Sequence, residues 1–103
     1  MRNHPIAAIA TPPGSGGVGI IRVSGRNLVG LAELLLAKPP KLRFVHHLYL
    51  NDSHGNRLDE VLLIYFKGPA SFTGEDVLEL YCHGGAFLTQ MILNRVIELG
   101  RNW

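Results

Sequence analysis

Thr11-Pro12-Pro13-Gly14-Ser15-Gly16-Gly17-Val18-Gly19-Ile20-Ile21-Arg22-Val23-Ser24-Gly25 contains a literal G-x-G-x-x-G and admits two incompatible readings. A dinucleotide fingerprint requires the residues after the last glycine to open a helix whose N-terminus faces a pyrophosphate, with an acidic residue about 20 positions further on. Neither condition holds. Ile20, Ile21 and Val23 are β-branched, and Ser24-Gly25 closes the segment after a few residues, as a turn closes a short strand. A Walker loop fails as well, because no Gly-Lys-Ser/Thr ending supplies a phosphate-binding lysine and a magnesium-binding hydroxyl. The glycines therefore join two strands, and the cation Arg22 stands inside the second.

Outward from that segment, Ile6 to Ala10 is a short apolar run that the prolines stop, and Val18 to Val23 is the next strand. Asn27 to Ala37 carries Leu28, Leu31, Ala32 and Leu35 at helical spacing and ends before Pro39-Pro40. Arg43 to Leu50 and Leu58 to Phe66 are strand-like, with a hairpin loop over Asn51 to Asn56. Both parities of the second run are apolar, so it is expected to be covered on both faces. Lys67 to Gly74 is a loop, and Asp76 to Cys82 alternates as a fifth strand, Leu78, Leu80 and Cys82 against Val77, Glu79 and Tyr81. A second helix runs from Ala86 to Leu99, with Gly100 expected at C′ and an apolar stripe wider than one sheet contact needs. The fold class is α+β, a mostly antiparallel five-stranded sheet with two helices in the order β-β-α-β-β-β-α.

The 103 residues, 47% hydrophobic and 17% charged, make one domain with a modest core. The net charge is only +2, and Arg26, Lys38, Lys41, Arg43, Arg57, Lys67 and Arg95 form no dense run, which gives poor support to direct nucleic-acid binding by this segment alone. One cysteine, Cys82, excludes an internal disulfide and suits a reducing compartment. No run approaches the roughly 18 apolar residues of a membrane span, and Met1 to Pro5 does not resemble a signal peptide. A cytoplasmic location is expected.

Arg22 and Glu79 are the two charges that interrupt otherwise apolar strand faces. Held out of water, each needs a hydrogen-bonded partner, at a cost of several kcal/mol if it has none. Either they pair with each other or with backbone, or they serve a ligand, the carboxylate accepting two N–H groups of an amino-pyrimidinone edge and the guanidinium holding a carbonyl or carboxylate. His83-Gly84-Gly85 before the second helix presents backbone N–H groups that suit an anion, or else is a glycine turn fitted between strand and helix. Cys82 lies on the apolar parity and lacks companions for a zinc set, and His46 and His47 point to opposite faces, so no metal site is expected. Glu75 and Asp76 diverge and are read as loop and cap residues, not as a catalytic pair.

The segments Ala7 to Gly25 and Gly68 to Gly85 resemble, in register and over nearly the whole chain, the N-terminal domain of the tRNA modification GTPase family called MnmE or TrmE. The resemblance implies a fold related to half of the folate-binding domain of the glycine-cleavage T protein, with two copies associating as a homodimer. It implies a formyl-tetrahydrofolate, such as 5-formyltetrahydrofolate, bound here as one-carbon donor. It also implies action with the partner MnmG (GidA) on carbon 5 of the wobble uridine of certain tRNAs. The family's folate-contacting arginine falls on Arg22 and its glutamate on Glu79; beside them His83, Gly84 and Gly85, from their place before the second helix, are a candidate supporting loop.

The family continues past the second helix into a Pro-Gly-Glu-Phe-containing segment, a further folate-contacting lysine, a helical domain and an inserted G domain, to which GTP, magnesium and potassium belong. Arg101-Asn102-Trp103 does not resemble that continuation, so residues 1–103 are expected to be an incomplete domain: a fragment, a truncated form or a damaged reading frame. It is a binding module with no catalytic residue of its own, not expected to hydrolyse GTP alone. The alternatives are a dimerisation module whose ligand site is vestigial, with Arg22 and Glu79 in an internal ion pair, and a T-protein-like folate-dependent one-carbon transferase.

Overall fold

The computed structural model describes residues 5–10, 17–69, 71 and 74–100. The strands are β1 (Ile6–Ile9), β2 (Val18–Gly25), β3 (His46–Asn51), β4 (Arg57–Phe66) and β5 (Asp76–His83), and the helices are α1 (Val29–Leu36) and α2 (Ala86–Gly100). They follow the expected order. The four pairings among these strands are antiparallel, in the spatial order β1-β2-β5-β4-β3, so β5, the last of the five in sequence, is the middle strand of the sheet.

The pleat sends alternate residues to opposite sides. Ile21 and Val23, Leu78, Leu80 and Cys82, Val61, Leu63 and Tyr65, and Leu48 and Leu50 all turn to one side, where Leu28, Leu31 and Ala32 of the α1 region and Ile92 and Val96 of α2 complete the core. Among the described residues, the other face carries no helix. Leu62 and Tyr49 are exposed on it and Ile64 and Phe66 only half-buried, which corrects the expectation that β4 is covered on both sides. Apolar residues on both parities do not distinguish a face under a helix from one left open.

Other boundaries move for local reasons. The β3 strand begins at His46, not Arg43, because Arg43 has a left-handed backbone (φ 55) and donates its N–H to the Tyr65 carbonyl at 2.8 Å. The helix α1 spans Val29–Leu36 where Asn27 to Ala37 was expected, since Ala37 turns left-handed at φ 60 and donates its N–H to Glu33 O, stopping the helix before the prolines. Gly100 continues α2 as its last helical residue and does not take the C′ position. The 51–56 hairpin closes as expected, with Asp52 accepting the N–H groups of His54 and Asn56, both at 2.9 Å.

Of the opening glycines, Gly14 and Gly16 lie outside the described residues, as do the prolines expected to stop β1 and residues 101–103. Gly17 accepts the Gly84 N–H at 3.2 Å, tying the start of β2 to the turn before α2. Gly19 faces the core, where a Cβ would stand 2.9 Å from Thr89 Oγ1 and 3.2 Å from Cys82 Sγ. Its missing side chain lets α2 approach the sheet.

Candidate functional site

On the open face, register places Arg22 of β2 beside Glu79 of β5, with Ala8 and Ile64 as the neighbours on either side. Arg22 donates from Nε and Nη2 to Glu79 Oε2, at 2.9 and 2.6 Å. Tyr81, two residues along β5 and thus on the same face, donates its hydroxyl to Glu79 Oε1 at 2.7 Å. Both carboxylate oxygens are engaged. The Glu79 side chain is only 4% exposed although it stands on the side without helices, and Arg22 is 38% exposed. The fold thus brings together the two residues singled out by their charge, and it pairs them directly.

Tyr81 is the member that strand charges alone do not reveal, although its i, i+2 spacing from Glu79 places it there. The hydrogen bond to Glu79, then burial and the carboxylate's charge, raise its phenol above the ordinary value, against the opposing pull of Arg22. It is a donor at neutral pH and not a base. Chemically, the group is a desolvated carboxylate held by a guanidinium and a phenol. Such a set can exchange its internal partners for the N–H edge and carbonyl oxygens of a heterocyclic amide.

The His83-Gly84-Gly85 loop lies at the end of the same strand, but its donors are largely engaged. Asp59 Oδ2 accepts the His83 N–H at 2.9 Å, Asp59 Oδ1 accepts from the His83 ring Nδ1 at 2.7 Å, and the Gly84 N–H goes to Gly17. Burial works to raise the Asp59 carboxyl, yet the His83 hydrogen bonds hold it below the usual carboxylate value. Gly85, at φ +106, takes a conformation that favours glycine, and its carbonyl accepts both the N–H and the hydroxyl of Thr89. The loop's backbone is a fitted turn, while the His83 imidazole remains mostly exposed. It borders an open cleft of about 340 Å³ whose walls include Val18, His47, Glu60, Leu62 and Tyr81. Through Tyr81 the cleft adjoins the Arg22–Glu79 pair.

The residues set aside on the sequence take structural roles. Cys82 faces the core, donates to Gly19 O at 3.4 Å, and has its thiol pushed up to about 11 by burial and by the Asp59 charge, far from thiolate reactivity. His46 is buried and accepts the Lys41 N–H at 3.0 Å, whereas His47 is exposed and bonds Glu60 at 2.7 Å, so the two do point apart. Asp76 is more than a local cap. Its Oδ2 accepts the Leu28 N–H at the start of α1 and the Tyr65 hydroxyl, and its Oδ1 accepts the Gly68 N–H at 3.0 Å. Burial opposes its ionisation, but these donors win and hold its carboxyl below the usual range.

Comparison with known proteins gives concordant matches. The family described as GTP-binding protein TrmE N-terminus matches residues 5–102. A tRNA modification GTPase MnmE from Neisseria meningitidis serogroup C is 54% identical over 95 residues, covering 92% of this chain and 21% of the relative. The protein of the same name from Dechloromonas aromatica is 51% identical over 100 residues, 97% of this chain and 22% of the relative, and that from Methylococcus capsulatus is 47% identical over 95. The chain spans about a fifth of the length of these curated relatives.

Proposed function

The chain belongs to the TrmE N-terminal domain family, and from that premise we propose that its open sheet face binds a reduced folate and meets a second copy of the chain. In the whole protein this domain serves a GTPase that modifies tRNA at the wobble uridine together with MnmG (GidA). Two T-protein-like halves, one from each copy, complete the arrangement. The observation that carries the reading is Glu79: a carboxylate almost wholly out of water on the face that no helix covers. A buried carboxylate, even when paired, adds little net stability over apolar packing, so its presence there is better explained by recognition.

The residues fit the ligand's chemistry. Glu79 accepts the amino and ring N–H groups of the pterin, Arg22 turns from Glu79 to the ligand's oxygens, and Tyr81 keeps the carboxylate oriented. The cleft beside Tyr81 gives the rest of the molecule room, with His83 at its margin. When bound, the folate supplies the one-carbon unit, and the chain itself orients it and excludes water.

The direct Arg22–Glu79 contact also favours a second reading, a dimerisation module in which the pair stays closed. Calorimetric titration with 5-formyltetrahydrofolate separates the two. On the first reading the chain binds, and both Glu79→Gln and Arg22→Ala weaken binding about ten-fold or more, the scale of a lost charge-assisted hydrogen bond. Wild-type affinity in both variants sinks it. A chain that is dimeric by light scattering but does not bind is the second reading.

A further inference from the structure

The cations that look scattered in the sequence do not stay scattered in the fold. The β-bulge between β3 and β4 pairs Asn51 with Arg57 where Leu50 pairs with Asp59, so the strand is locally re-aimed and the Arg57 guanidinium lies 3.8 Å from the centre of the Tyr49 ring. Tyr49 meets His47 edge-on at 5.1 Å, Arg43 lies over Phe66 at 5.5 Å, and Lys41 over Phe44 at 5.1 Å. Phe44 and Tyr49 are about half exposed. These groups follow the outer edge strand β3 and the residues leading into it, away from the Arg22–Glu79 pair, with Glu60 as the carboxylate bonded to His47.

Cations alone on an edge strand would do no more than discourage pairing with another sheet. Here Lys41 and Arg57 are laid on the exposed rings of Phe44 and Tyr49, and Arg43 on the half-buried ring of Phe66. That combination of backbone-neutralising charge and flat stacking surface is what binds unpaired nucleotides without demanding a sequence. A purely apolar protein partner would leave three cations desolvated, whereas a polyanion with free bases satisfies both the charges and the rings. We propose that the β3 edge, through Lys41, Arg43, Tyr49 and Arg57, is a docking strip for a single-stranded RNA loop. The inference rests on the tRNA-modifying role proposed above for its choice of polyanion.

Fluorescence anisotropy of a labelled RNA stem-loop, titrated with the chain across a salt series, tests it. Stem-loop binding should weaken linearly in log–log form with salt. Arg57→Gln should lower affinity about five-fold or more and flatten the slope by about 0.7, as loss of one phosphate contact does. Tyr49→Ala should lower affinity about five-fold or more and leave the slope unchanged, as loss of stacking does. Arg26→Gln, exposed and outside the strip, should change neither. Equal losses for Arg26→Gln and Arg57→Gln, binding of a fully paired duplex as tight as the stem-loop, or no RNA binding by a chain that still takes up 5-formyltetrahydrofolate would each overturn the strip. Strip-dependent RNA binding by a chain that takes up no folate would leave the strip standing and remove the folate reading.

Discussion

On the helix side of the sheet the row Ile21, Leu80, Leu63 is apolar and wholly buried, whereas one residue away on the same three strands the row Arg22, Glu79, Ile64 carries an ion pair. The strands contribute alternate residues to the two rows, so local conformation is shared and the difference lies in what covers them. The helix-side row is stabilised by close packing of its apolar side chains. On the open side, stability no longer dictates residue type, and charges that would be intolerable one residue away can be kept for recognition.

The sharpest way to break this comparison is to truncate neighbours on opposite faces. Leu80→Ala should cost about 2–5 kcal/mol through the cavity it leaves, while the adjacent Glu79→Gln, which retains an acceptor for Arg22, should cost about 1 kcal/mol. Urea denaturation measures both, and the reverse order would mean that the open face holds the fold together.

Next in size is Asp76, at the rim of the covered face. Its folded pKa is depressed, so its stabilisation is present above the unfolded value of about 3.9 and is lost as the pH falls through the folded value. Asp76→Asn should cost about 2–3 kcal/mol at neutral pH and make the urea midpoint less sensitive to acid than in the wild type. The same acid sensitivity in both would assign the effect to Asp59, whose carboxyl is also held low.

Smallest is Gly19→Ala, expected to cost about 1–2 kcal/mol by forcing a methyl group onto Thr89. Thr89→Ala in the same chain should recover part of that loss, a coupling read from a double-mutant cycle. A silent Gly19→Ala would show that this glycine does not fix the approach of α2.

Periodicity sufficed for the element order because β2, β5 and both helices carry strong, unambiguous patterns. It also exposed Arg22 and Glu79, since a charge within an apolar run is visible locally. What it missed depends on residues distant in sequence. Tyr65, Leu28, Gly68 and Asp76 meet only after the sheet has formed, and no local pattern announces that the Gly84 N–H is taken by Gly17. The open face is not legible at β4 for a related reason: Leu62, Ile64 and Phe66 are apolar whether or not a layer covers them. The cations at positions 41, 43 and 57 likewise carry no signal until β3 and β4 bring them to one edge.

The strand order has a consequence for a chain as it is being made. Arg22 and its partner Glu79 are separated by 57 residues, and β2 takes its inner neighbour from β5, which is synthesised after the other four described strands. Local contacts form first and such distant pairings late. The β1–β2 hairpin therefore leaves the ribosome with its β2 edge bare, and keeps that edge bare until Asp76–His83 has emerged. During that interval a positive charge in the middle of β2 discourages that edge from pairing with a strand of another nascent chain.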